Sequence, residues 1–321
     1  MDTASSTVSV RSLLGRRSGV RLLPFAGRFA FAFALIYGAI CLGVYGVQRY
    51  LVFRPDRTLR ALPDEYPFPV RGVDIVIPGE PGRTLHGWWV PAADPRAKVV
   101  LYLHGSDGNV STSMDGIAPL RELGYSVFMI DYRGYGASGG GFPSEAGVYE
   151  DAQSAWDYLV YEQRIDPANL FIYGHSLGGA IAIELALRHP EAAGLVVESS
   201  FTSIYDMAMR EARYAPLPVK LVLNQRFHSV AKVGQLRLPV LYIHGTADET
   251  VPFEMGEALY SATPFARGLV AVPAGNHENN AAVGGALLRA EISRFVEGMV
   301  QSGARTTLAN SAGKSQGKPR S

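Results

Sequence analysis

The sequence has few cysteines and little net charge, and both shortages exclude classes of protein. Cys41 is the only cysteine among 321 residues, which excludes an intramolecular disulfide and a cysteine-based zinc cluster. The 30 basic and 29 acidic residues leave a formal charge of +1, so phosphate electrostatics do not favour a nucleic-acid partner. The 35 glycines follow no repeat, which excludes collagen-like and solenoid architectures. A hydrophobic content of 47% predicts a folded chain.

The N-terminal region contains one long segment without charge. Residues 29–48 carry no charged side chain, and as a helix they would span about 30 Å, the thickness of a bilayer core. We predict a basic segment over 1–28 and a transmembrane anchor over 29–48, with a cleaved signal peptide or a buried helix as alternatives. Five arginines precede this span and four follow it closely, which favours a globular domain outside the cytoplasm.

The residues that follow the anchor alternate short apolar runs with amphipathic stretches. Such runs suit strands buried on both faces of a parallel sheet, and Pro78–Gly82 between the first two is typical of a hairpin turn. We predict a doubly wound α/β domain over 70–301 with a mostly parallel, eight-stranded sheet. A linker over 49–69 would precede it and a disordered tail over 302–321 would follow it. Ligands are expected at the carboxyl ends of the strands.

One motif combines a strand, a tight turn and a helix start around a serine. The apolar residues 170–173 lead into Gly174-His175-Ser176-Leu177-Gly178, a G-x-S-x-G turn. Ser176 would occupy a strained position, and the two flanking glycines would let neighbouring backbone pass without a Cβ clash. We predict Ser176 as a catalytic nucleophile; the alternative is a glycine-rich turn whose serine only caps a helix.

A serine nucleophile needs a base and an acid that orients the base. After a G-x-S-x-G turn, the acid and then the histidine follow the serine in the chain. His277 is the only histidine beyond the loop that contains Asp248. We therefore predict His277 as the base and Asp248 as the orienting acid, each in a loop after a strand. Glu198 and, with less support, Glu249 are rival acids, and the alternative for His277 is a surface loop histidine.

The oxyanion of an acyl-transfer intermediate needs hydrogen-bond donors. We predict the backbone N–H of Leu177, which follows the nucleophile, and that of Ser106, in the loop after the third strand. The alternative is that this glycine-bearing loop only turns the chain. His104 and His244 end strands and are interpreted as packing residues. The sequence has no phosphate-binding glycine motif and no metal-ligand spacing, so we expect no cofactor and no metal.

Several motifs taken together resemble a known family. The segments His104–Asn109, Asp131–Gly139, Gly174–Gly179 and His244–Glu249, with His277, resemble the α/β-hydrolase superfamily. The similarity extends over about residues 48–300 and is greatest to membrane-anchored serine hydrolases with a nearly capless domain, a branch that includes depalmitoylase-like enzymes. This resemblance implies a Ser176–His277–Asp248 triad and hydrolysis of carboxylic esters or thioesters. One departure is Asn276, where the usual pattern has glycine before the histidine.

The segments expected to determine substrate specificity have less distinctive sequences than the catalytic motifs. Residues 199–235 are long enough for a short lid, whose apolar side chains either line an acyl site, touch a membrane or pack on the sheet. We interpret Asp131–Gly139 as structural, with Tyr132 and Tyr135 as alternative substrate contacts. The expected substrate is a small-molecule or lipid acyl compound. The alternatives are a serine peptidase on the same fold and a catalytically silent, membrane-tethered binding protein.

Overall fold

The computed structural model describes residues 22–77 and 83–315, with side chains described for 25–77 and 83–299. The predicted hairpin turn over 78–82 and most of the predicted basic segment lie outside the described residues. The chain divides into two compact units, Met1–Val44 and Tyr45–Ser321. The second unit contains every strand and all the residues predicted to be functional.

Helices and strands alternate along the described part of the chain after the first helix, which begins in the first unit and ends in the second. The helices are α1 (Leu22–Val52), α2 (Ala118–Glu122), α3 (Glu145–Asp157), α4 (Leu177–Arg188), α5 (Ile204–Met209), α6 (Val219–Val222), α7 (Ser229–Val233), α8 (Phe253–Ala262) and α9 (Asn280–Ser315). The strands are β1 (Arg54–Pro55), β2 (Arg71–Val76), β3 (Thr84–Val90), β4 (Val99–Leu103), β5 (Asp107–Gly108), β6 (Ser126–Ile130), β7 (Leu170–His175), β8 (Gly194–Glu198), β9 (Val240–Gly245) and β10 (Ala266–Val272).

Eight of these strands form one sheet in the order β10-β9-β8-β7-β4-β6-β3-β2. β3 is antiparallel to β2 and to β6, and the other neighbours are parallel. Strands β4, β6 and β8 consist wholly of buried residues, because helices cover both faces of a parallel sheet. Alternate residues of β4 enter two separate hydrophobic clusters, as the two faces of a strand require. The predicted α/β fold with a leading hairpin is confirmed.

Residues 49–69 are packed onto the sheet, which differs from the predicted linker. Phe53 is 1% exposed and belongs to a hydrophobic cluster of the core. β1 pairs with β5, and Asn109 Nδ2 donates to the carbonyl oxygens of Asp56 and Thr58 at 3.2 and 2.9 Å. The burial of Phe53, the β1–β5 pairing and these hydrogen bonds act together against the chain entropy that a free linker would retain. We call residues 49–69 the strap.

The first and last helices extend beyond their predicted bounds. Phe25–Val52 of α1 is a 28-residue helical stretch long and apolar enough to cross a membrane, and its apolar window is not buried within the chain. A signal sequence near an N-terminus satisfies the same criterion. α9 continues to Ser315, into the predicted disordered tail, because no proline between residues 280 and 315 interrupts it. Residues 316–321 lie outside the described residues.

The segment between β8 and β9 forms the predicted short lid. It contains α5, α6 and α7, each of four to six residues. Phe201 and Phe227 are buried and join the core cluster, whereas Leu221 is 85% exposed. The apolar residues of this segment thus divide between packing on the sheet and facing outward.

Candidate active site

Ser176 lies in a strained turn between β7 and α4. Its φ is +55°, a conformation that side-chain-bearing residues adopt rarely and that the surrounding structure must maintain. Two hydrogen bonds do so: the Ser176 N–H donates to Glu198 O at 2.8 Å, and Ser200 Oγ donates to Ser176 O at 2.8 Å. The turn therefore places the Ser176 hydroxyl at the carboxyl end of a central strand.

The glycines on either side of Ser176 are required by close backbone contacts. A Cβ on Gly174 would lie 2.2 Å from Gly178 O, and a Cβ on Gly178 would lie 2.0 Å from Leu103 O. Neither position can hold another residue without moving backbone. The predicted steric role of both glycines is confirmed.

The structure brings Ser176, His277 and Asp248 together from three loops. His277 Nε2 is 2.8 Å from Ser176 Oγ, and His277 Nδ1 is 2.8 Å from Asp248 Oδ2. The second carboxylate oxygen, Asp248 Oδ1, accepts the backbone N–H groups of Thr250 and Val251 at 3.0 and 2.8 Å. These bonds hold the imidazole with Nδ1 donating to the carboxylate and Nε2 facing the hydroxyl, the arrangement that activates a serine.

Electrostatics at this site favour a strong base beside an ionised acid. Burial lowers the pKa of His277, but the hydrogen bond and charge of Asp248 outweigh burial, and Glu278 and Glu198 add to a net increase above the usual value. Burial of Asp248 favours its neutral form, yet hydrogen bonds from His244 and His277 hold the pKa of this carboxyl well below its usual range. At neutral pH, Asp248 is therefore a carboxylate.

The two rival acids occupy other positions. The Glu198 carboxylate accepts hydrogen bonds from Tyr173 Oη at 2.7 Å and from Asn280 Nδ2 at 3.1 Å, and Glu249 is exposed. The Nδ1 atom of His277 instead faces Asp248. The geometry thus favours Asp248 over both glutamates as the residue that orients the histidine.

Two residues hold the histidine loop: His175, which the sequence reasoning missed, and Asn276, which it noted only as a departure from the usual glycine. His175 Nε2 donates to His277 O at 2.8 Å, which joins the nucleophile turn to the base loop. Asn276 Oδ1 accepts the N–H groups of Glu278 and Asn279 at 3.0 Å each. This asparagine turn replaces the glycine usual before the histidine and still directs His277 to Ser176. The turn-forming tendency of asparagine was the available signal.

The two predicted oxyanion donors lie next to the nucleophile. Leu177 is the first residue of α4, so its N–H has no intrahelical acceptor. A Cβ on Gly105 would lie 3.4 Å from the Cβ of Ser176, so the loop that contains Ser106 abuts the nucleophile. Positions of this kind suit an oxyanion hole, and the assignment of these two donors stays a prediction.

Tyr132 and Tyr135 donate hydrogen bonds to the loop that contains Ser106. Tyr132 Oη donates to His104 O at 3.0 Å and Tyr135 Oη donates to Ser106 O at 2.7 Å. Both tyrosines are fully buried, which gives them a structural role and leaves no surface for substrate. Their rings pack against His104 at 4.4 and 5.2 Å between centroids, and burial lowers the pKa of His104 to about 4. His104 is therefore a neutral packing residue.

Among the described residues, one group of side chains could hold a metal ion. Ligand atoms of His175, His277 and Glu278 lie within 4.8 Å of one another. The His277 ring nitrogens already face Ser176 and Asp248. A metal ion bound here would therefore compete with the hydrogen bond to the serine.

Comparison with known proteins places the chain in a family. The family model described as "Serine aminopeptidase, S33" matches residues 93–232. The α/β hydrolase domain-containing protein WAV2 of Arabidopsis thaliana is 31% identical over 293 residues, which cover 82% of this chain and 94% of that protein. The chain belongs to the α/β-hydrolase family. A second relative of this α/β hydrolase, the uncharacterized protein Rv2307c of Mycobacterium tuberculosis, is 32% identical over 264 residues, 82% of this chain and 92% of the relative.

Solved structures share the fold of this hydrolase. The esterase Pf2001 of Pyrococcus furiosus superposes with a TM-score of 0.62 at 21% identity, covering 77% of this chain and 97% of that one. At this level of identity the likeness concerns the fold alone.

Proposed function

We propose that this α/β hydrolase is a membrane-anchored serine hydrolase that cleaves carboxylic esters or thioesters. The observation that carries the proposal is the pair of 2.8 Å contacts linking Ser176 Oγ, the His277 ring and Asp248. The raised pKa of His277 supports its role as general base. The strained backbone at Ser176 supports its role as nucleophile.

The reaction follows from the positions of these groups. Ser176 Oγ attacks the acyl carbonyl carbon while His277 Nε2 takes the hydroxyl proton, and Asp248 stabilises the imidazolium. The N–H groups of Leu177 and Ser106 stabilise the oxyanion. His277 then gives its proton to the leaving alcohol or thiol, which leaves an acyl-enzyme. A water molecule, deprotonated by His277, attacks the carbonyl carbon of this ester. The bond to Ser176 Oγ then breaks, His277 returns the proton to that oxygen, and the carboxylic acid is released.

The membrane anchor is proposed from α1. Its 28-residue apolar stretch reaches to Val52, and the strap that follows is packed directly on the domain. A catalytic domain held at a bilayer surface meets membrane-borne acyl groups at a raised effective concentration. Lipid acyl compounds are therefore the favoured substrate class.

The experiment measures kcat/KM of the full-length protein for matched oxygen esters and thioesters with acyl chains of two to about twelve carbons. Each buried methylene contributes about 0.8 kcal/mol, so the rate should rise with chain length until the acyl site is full. The Ser176→Ala variant is the control and should be inactive on every substrate. A rate that falls steadily from acetate would contradict the lipid-acyl class and leave a small-ester hydrolase.

A serine aminopeptidase is a second candidate, favoured by the description of the matched family. Glu278 is exposed and its carboxylate lies within 4.8 Å of ligand atoms of His175 and His277, where it could pair with a substrate ammonium group. Hydrolysis of aminoacyl p-nitroanilides separates the candidates. An esterase should cleave them far more slowly than acyl esters, and a Glu278→Gln variant should then lose little activity.

A further inference from the structure

We propose that a cavity beside the lid binds the phosphate of an anionic phospholipid. The proposal rests on the membrane anchoring proposed above. The cavity has a volume of about 420 Å³ and is distinct from the triad. Its lining residues are Ser203, Tyr205, Asp206, Lys220, Leu223, Arg226 and His228.

The lining of the cavity suits an anion. Lys220 and Arg226 form no ion pair with a described acidic residue; Lys220 Nζ lies 5.0 Å from the centroid of the Tyr205 ring, and Arg226 Nε donates to Leu223 O at 3.3 Å. Asp206 contributes one negative charge to the lining, and its carboxylate accepts the hydroxyls of Thr202 and Ser203 at 2.6 Å each. The Arg226 Nε–H already donates to Leu223 O, so the terminal guanidinium nitrogens and the lysine ammonium remain as donors for a phosphate group. The cavity thus offers two cations that no acidic side chain neutralises by direct pairing, whereas the Ser203 hydroxyl already donates to Asp206.

Contacts with α1 relate this cavity to the membrane. Gln48, near the carboxyl end of α1, is 3% exposed. Its Oε1 accepts the N–H groups of Asn224 and Gln225 at 2.7 and 3.2 Å, and its Nε2 donates to Val222 O at 3.1 Å. The segment that contains Lys220 and Leu223 is therefore bonded to the end of the anchor helix. Gln48 is the last residue of the uncharged run 29–48 proposed to span the bilayer, so the segment bonded to it is proposed to lie near the headgroups.

An apolar side chain next to the cavity favours a lipid over free phosphate. Leu221 is 85% exposed and adjoins Lys220 in α6, and Met209 is 43% exposed. A leucine at headgroup level can enter the acyl region, while a neighbouring lysine extends its ammonium to the phosphate. A pocket for free phosphate would also need the cations, but an exposed leucine at position 221 would add nothing to its affinity for phosphate.

Native mass spectrometry of the full-length Ser176→Ala variant in detergent micelles tests the proposal. This variant cannot form an acyl-enzyme, so lipid binding is measured independently of whether the proposed hydrolysis is right. Phosphatidylglycerol, diacylglycerol of the same chains and inorganic phosphate are titrated separately. We expect one saturable phosphatidylglycerol per chain, with at least roughly tenfold weaker binding of the other two, since charge-assisted hydrogen bonds carry the affinity.

Substitutions then locate the site. Lys220→Ala with Arg226→Ala should weaken phosphatidylglycerol binding at least roughly tenfold, and Leu221→Ser should weaken it without affecting phosphate. Arg213→Ala is the matched control, because Arg213 is an exposed lid cation outside the cavity. Equal binding of diacylglycerol, equal binding of free phosphate, or equal weakening by Arg213→Ala would overturn the proposal.

Discussion

The triad and the lid cavity differ in how firmly their side chains are held. Ser176, His277 and Asp248 are each less than 10% exposed and are joined by hydrogen bonds of 2.8 Å. Lys220 and Arg226 at the lid are exposed. A reaction needs reacting atoms fixed to a fraction of an ångström, because misplacement is costly in rate. A headgroup site at a membrane surface needs charge and access more than fixed geometry.

This difference separates the residues that carry out the reaction from those that select the substrate or contact the membrane. The residues around Ser176 are fixed by strand ends, glycine contacts and buried carbonyl acceptors, all of which belong to the fold. The lid consists of short helices joined to the sheet by a few buried aromatic residues. Substitutions in the first region should therefore remove activity, whereas substitutions in the second should change substrate preference or membrane contact.

The largest effect should follow from removal of the nucleophile or the base. Ser176→Ala and His277→Ala should each lower kcat by at least roughly 10⁴-fold, because the two residues act as one unit. Steady-state kinetics on a short-chain ester measures the loss, and circular dichroism should show an unchanged fold. Loss of less than tenfold in either variant would remove that residue from the proposed triad.

A comparison of the two buried acids sharpens the assignment of the orienting residue. Asp248→Asn should lower kcat roughly 10³- to 10⁴-fold, because the amide no longer stabilises the imidazolium. Glu198→Gln should cost less than about tenfold, since Glu198 makes no hydrogen bond with His277 among the described residues. Both variants are assayed on the same ester. A larger loss for Glu198→Gln would reverse the assignment.

Stability should distinguish the strap from the lid. Phe53→Ala should lower the free energy of unfolding by about 3–5 kcal/mol, the usual range for a buried phenylalanine. Leu221→Ala, at an exposed lid position, should change it by less than about 0.5 kcal/mol. Chemical denaturation in micelles measures both. If Phe53→Ala left the free energy of unfolding unchanged, residues 49–69 would be a free linker, as the sequence predicted, and not a packed strap.

The pH dependence should show the smallest effect. Only neutral His277 can accept the serine proton, and its raised pKa keeps it protonated to higher pH. Activity should therefore fall, as the pH decreases, with a midpoint of kcat/KM above the ordinary histidine value of about 6.5. Glu278→Gln should lower this midpoint, and Glu249→Gln, on the Asp248 loop, should not. A wild-type midpoint at or below 6.5 is incompatible with the described electrostatics.

Much of the fold and the site could be predicted from local sequence. Strands buried on both faces give continuous apolar runs, and a strained serine turn needs flanking glycines, so both are visible without tertiary information. The two-residue strand β1 and the hydrogen bonds of Gln48 could not be predicted from local sequence, because neither has a periodic pattern. His175 was missed because its partner, the carbonyl oxygen of His277, is 102 residues away in the chain and meets it only in the folded protein. The lid cavity likewise exists only once residues 203–228 have folded back on one another.

Site mapping after fluorophosphonate labelling tests the central claim most directly. The full-length protein is treated with the probe and digested, and the modified peptide is identified by mass spectrometry. The account predicts one adduct, on Ser176 Oγ, formed rapidly in the wild type and at least roughly 10³-fold more slowly in His277→Ala, which lacks the base. An adduct on another serine, or an unlabelled Ser176 in the folded protein, would contradict it.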